Sequence, residues 1–113
     1  MPGCKKENCS AGTAGGVRLL IFPQHHGRAI PGSNAYLKFN THSAAGLPAD
    51  SDLHIKGNPD EVVIRAPKLS CGDYFIYCSG LDTAAAEYVR GGIPFSIPHN
   101  ASGDIDVIVP VTE

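Results

Sequence analysis

From Val17 onward the chain is a succession of short apolar runs, each closed by glycine or proline, and within the runs hydrophobic and polar side chains alternate one by one. Successive side chains of a strand point to opposite faces, so alternation of period two lets one face be buried while the other stays wet. A helix would instead need apolar residues three and four apart. The pattern is plain in Asn34-Ala35-Tyr36-Leu37-Lys38-Phe39-Asn40, where Ala35, Leu37 and Phe39 interleave with Tyr36, Lys38 and Asn40. The 13 glycines and 9 prolines fall between such runs, where turns need them. This predicts an all-β fold, a two-sheet antiparallel β-sandwich of the prealbumin-like or immunoglobulin-like kind with about seven strands.

Along the chain, Val17 to Phe22 reads as a first strand, and Pro23 to Arg28 as its end and a turn. Residues 41–51 are small and polar and read as a long loop; Leu53 to Lys56 and Glu61 to Ala66 read as strands. The most informative segment is Leu69 to Gly80. If it is extended, Tyr74, Ile76 and Cys78 share one face, and Asp73, Phe75, Tyr77 and Ser79 share the other. Phe75 and Tyr77 then form either an exposed binding strip or a covered layer. Asp82 before three alanines suits the N-cap of a single helical turn. Pro94 and Pro98 mark an edge strand, because proline donates no ladder hydrogen bond. Residues 17–113 form one domain, and residues 1–16, small, polar and glycine-rich, read as a flexible N-terminal tether.

With 9 basic and 11 acidic residues among 113, the net charge of -2 gives no electrostatic reason to expect nucleic acid or an anionic membrane as partner. No stretch approaches the length of an apolar membrane span. The chain carries no nucleophile elbow, no zinc-protease helix motif and no phosphate-cradling glycine loop, so no enzymatic activity is expected. Asp50, Asp52, Asp60 and Glu61 lack the dense spacing of a calcium loop and read as a solvated rim.

Two residue types offer chemistry. His25 and His26 flank a turn and His54 precedes another, so converging imidazoles at one end of a sandwich would suit copper or zinc. Adjacent histidines on a strand point to opposite faces, so His25 and His26 share an ion only where the backbone twists or bulges. His42 and His99 fall in loops. Of the four cysteines, Cys71 and Cys78 lie too far apart along one strand to pair. Bridges from Cys4 or Cys9 to either of them, or free buried thiols, remain open.

Gly3-Cys4-Lys5-Lys6-Glu7 resembles the start of a mature bacterial lipoprotein of the type common in Bacteroidetes. That resemblance implies a lipidated Cys4, export to the periplasm or cell surface, attachment to membrane through the lipid alone, and Cys9–Cys71 as the bridge. Gly27-Arg28-Ala29-Ile30-Pro31-Gly32-Ser33-Asn34-Ala35-Tyr36-Leu37 and Leu69-x-x-Gly72-Asp73-Tyr74-x-Ile76 resemble motifs of the transthyretin-like, or carboxypeptidase-regulatory-like, sandwich family. Lys56-Gly57-Asn58-Pro59-Asp60 stands where that family has a threonine-aspartate-glycine turn. The expected function is a non-enzymatic exported lipoprotein module binding a protein or glycan. The alternatives are a copper- or zinc-binding protein using His25, His26 and His54, and a self-associating structural subunit.

Overall fold

The structure, a computed structural model, describes residues 9–113. Alternation becomes burial directly in β1 (Val17–His25), where Val17, Leu19, Ile21, Pro23 and His25 are buried and the residues between them are exposed or half-buried. A two-residue turn leads to β2 (Arg28–Ala29), followed by β3 (Asn34–Phe39), β4 (Leu53–Lys56), β5 (Ile64–Leu69), β6 (Gly72–Asp82), β7 (Glu87–Ile97) and β8 (Gly103–Pro110). No helix occurs among the described residues.

The strands form two four-stranded sheets. In the first, β1 is central, with β2 and β5 antiparallel along one side and β8 along the other. The second has the order β4-β3-β6-β7 and is antiparallel throughout. Between them Leu19, Ile21, Val107 and Val109 meet Ala35, Leu37, Tyr74, Ile76 and Cys78, all essentially inaccessible. Each large side chain so buried contributes roughly 1.5–3 kcal/mol.

The all-β two-sheet sandwich is therefore as the alternation requires, with three differences in detail. Eight strands are present among the described residues, and β8 runs parallel to β1, from Val17 beside Gly103 to Gln24 beside Pro110. Second, Asp82 caps no helix: its Oδ1 accepts the amides of Ala84 and Ala85, but the β6–β7 ladder runs on to Asp82–Glu87 and leaves residues 83–86 only as the turn. One isolated helical turn cannot compete with an eleven-residue ladder. Third, Pro94 lies in β7 at the sheet edge as expected, but Pro98 falls just past the end of that strand.

Residues 9–16, read from the sequence as part of the tether, are fastened to the sandwich. Cys9 is disulfide-bonded to Cys71 with Cα atoms 5.1 Å apart, Ser70 N–H donates to Gly12 O at 3.0 Å, and Gly103 N–H donates to Gly16 O at 3.0 Å. The Tyr74 hydroxyl, otherwise stranded in the core, donates to Ser70 O at 2.7 Å and accepts from Gly12 N–H at 3.1 Å. Gly72, with φ of 145°, passes so close to the Ala11 backbone that a side chain there would collide with it. Cys4 and the rest of residues 1–8 lie outside the described residues.

Candidate functional site

β1 runs from the disulfide-fastened end of the sandwich to the opposite end, roughly 26 Å away at about 3.3 Å per residue. The parity that buries Val17, Leu19 and Ile21 also points His25 inward, at the level where the hydrocarbon core stops. An imidazole buried there needs partners for both ring nitrogens. It has them: Nδ1 donates to Asp82 Oδ2 at 2.7 Å, and Nε2 lies 2.8 Å from Glu113 Oε1. Asp82, the last residue of β6, is itself buried, and Arg28 Nη2 donates to its Oδ2 at 2.8 Å. With two backbone amides on Oδ1, this carboxylate accepts four hydrogen bonds.

The charges follow from that geometry. Hydrogen bonds, first from His25 and then from Arg28, hold Asp82 at about 2, well below its ordinary 3.8. Two carboxylates, Asp82 above all and then Glu113, raise His25 above its ordinary 6.5 despite burial. Glu113 is lowered, first by a hydrogen bond from its own backbone and then by the His25 ring. Among the described residues no buried side-chain nitrogen or oxygen lacks a partner.

His26 joins the cluster through backbone conformation. His26 and Gly27 both have positive φ, 53° and 76°, the requirement of a tight I′-type hairpin turn joining β1 to β2. Where a continuing strand would carry His26 to the opposite face, the turn folds its ring back to 4.2 Å from that of His25, centroid to centroid. One ligating atom from each of His25, His26 and Glu113 then falls within 4.8 Å of the others; His26 and Glu113 are exposed and His25 is buried.

His54 is not in this group. It sits on β4, stacks on Tyr36 at 4.3 Å and 9°, and its Nε2 lies 3.1 Å from Asn34 Oδ1. His42 lies at the disulfide end, 3.0 Å from Ser96 Oγ, and His99 is exposed in a turn. Sequence reasoning missed Arg28, Asp82 and Glu113 as partners, since Asp82 and Glu113 lie 57 and 88 residues from His25 and no local spacing links them. From the sequence the first strand closes at Phe22 and leaves His25 in a turn, whereas β1 runs on to His25 and carries the burial parity of Val17, Leu19 and Ile21 with it.

The remaining sulfur chemistry is quiet. Cys78 is buried among core side chains, and that burial pushes its thiol up to about 12, so it stays protonated and unreactive at neutral pH. Phe75 is almost fully covered, with its ring against Gly92, whereas Tyr77 is half-buried and meets Tyr36 edge-on at 5.9 Å. Among the described residues the most exposed large apolar side chain is Tyr88, 73% accessible, opposite Leu81 near the β6–β7 turn. Comparison with protein-family models, with curated proteins and with solved structures finds no match.

Proposed function

We propose that the chain is a non-enzymatic exported module that presents one end of a β-sandwich to a protein partner. The observation carrying this reading is the opposition of the two ends. Cys9–Cys71 fastens the tail at one, while Leu81, Tyr88, His26 and Arg28 are exposed at the other. Tyrosine and arginine beside an exposed apolar residue are the side chains that dominate protein interfaces. A disulfide suits an oxidising compartment outside the cytoplasm. The opening Gly3-Cys4-Lys5-Lys6-Glu7 supports a lipid anchor at Cys4, and the hairpin motif from Gly27 to Leu37 supports a transthyretin-like relationship.

The test places a photo-crosslinking aromatic residue at position 88 or, at the opposite end, at position 42, in the protein expressed in its own cell. A discrete protein adduct from position 88 and none from position 42 is expected. Equal labelling from both positions, or a glycan adduct from position 88, would sink the reading. Lipidation is tested separately, by acyl-chain labelling that should vanish in Cys4→Ser.

A further inference from the structure

We infer that His25 Nε2, the His26 ring and the Glu113 carboxylate form a binding site for a divalent transition-metal ion of the zinc or copper class. The inference shares His26 and Arg28 with the docking reading, but its test needs no partner protein, so the two can fail separately. Metal–ligand bonds of about 2.0–2.2 Å place neighbouring ligand atoms of a tetrahedral ion roughly 3.4 Å apart. One ligating atom of each residue already lies within 4.8 Å of the other two, and the His25 Nε2–Glu113 Oε1 pair stands at 2.8 Å. The movement needed is about 1.4 Å at most. It falls on the two exposed side chains, His26 and Glu113, while His25 stays fixed.

What separates this cluster from a chance meeting of surface groups is the support behind His25. A ligating imidazole commonly donates its other N–H to a carboxylate, which fixes the ring orientation and the tautomer. Asp82 does this at 2.7 Å from within the core, and is itself held by Arg28 and the amides of Ala84 and Ala85. Nε2 is thereby directed at Glu113, along the line on which an ion would replace the bridging hydrogen. Two imidazole nitrogens and one carboxylate oxygen suit zinc or copper, whereas calcium and magnesium take oxygen ligands. With His26 and Glu113 exposed, a fourth position is open to water or to an added donor.

The test is calorimetric titration of the full chain, stripped with chelator, with zinc chloride and separately with copper chloride in mildly alkaline buffer. One saturable site of micromolar or tighter affinity is expected for at least one of the two. His26→Asn and Glu113→Gln should each weaken it by at least about tenfold. Asparagine tolerates the left-handed backbone of position 26, so the turn survives the first change, and the second lies at an exposed side chain. His54→Ala should leave the affinity unchanged. The inference is overturned by absence of binding to both metals, or by binding that neither His26→Asn nor Glu113→Gln weakens.

Discussion

His25 is the residue at which burial and charge make opposite demands. Its position in the β1 alternation sends it inward, and an ionisable ring there is tolerated because Asp82 and Glu113 face its two nitrogens. The consequence for stability against pH follows from two shifts of opposite sign. Asp82 is held at about 2 in the fold against an ordinary 3.8, so its contribution is present above 3.8 and is lost as pH falls toward 2. His25 is raised above 6.5, so its contribution is complete below 6.5 and is lost as pH rises through the higher folded value. The chelator-stripped protein should therefore be most stable between these limits. Thermal melts across the range check this, and Asp82→Asn should flatten the acid limb. A profile that stays level both below pH 3.8 and above pH 6.5 would contradict the network. The parity of Val17, Leu19 and Ile21 was legible, but its extension to His25 was hidden by Pro23, which reads locally as a strand end; that Asp82 waits there was not legible either, because its partner is set by how the sheets stack.

At the scale of the element, β6 shows why strands were legible and their limits less so. Tyr74, Ile76 and Cys78 face the core and alternate with Asp73, Phe75, Tyr77 and Ser79 on the outer face, as the sequence shows, although Phe75 is buried there too under its neighbours. The ending was misread because Asp82 with three alanines satisfies local helix preferences, and only the eleven-residue pairing with β7 overrides them. Ile76→Ala should lower unfolding free energy by about 2–5 kcal/mol, measurable by urea titration. On the neighbouring strand, a Cβ at Gly92 would lie 2.7 Å from Ile76 O, a backbone atom that cannot retreat without breaking the ladder. Gly92→Ala should therefore cost about 1–3 kcal/mol in the same titration. A neutral result would show that the Phe75 ring and the backbone beneath it yield more easily than the packing implies.

For the molecule as a whole, the two-sheet sandwich was readable, and the parallel seating of β8 on β1 was not, since pairing between residues more than eighty positions apart leaves no local trace. The exposed edges are blunted. β4 has four residues, β8 carries Asp104 and Asp106, and β7 carries Pro94 and is bridged to Thr112 at Arg90. Such edges resist strand-to-strand association, so sedimentation velocity should find a monomer even at high concentration; a concentration-dependent dimer would favour the self-associating subunit. Removing the disulfide should matter more. Cys9 and Cys71 are separated by 62 residues, and losing that cross-link by Cys9→Ser should destabilise by about 3–4 kcal/mol, read as a lower denaturant midpoint.

That same cross-link decides where mechanical load travels. A pull delivered at Cys9 reaches Cys71 through sulfur and enters the fold just before β6, so the backbone of residues 10–16 and of β1 is not itself drawn out. Only when the sulfur bridge is reduced would such a pull unzip the chain from its first strand inward.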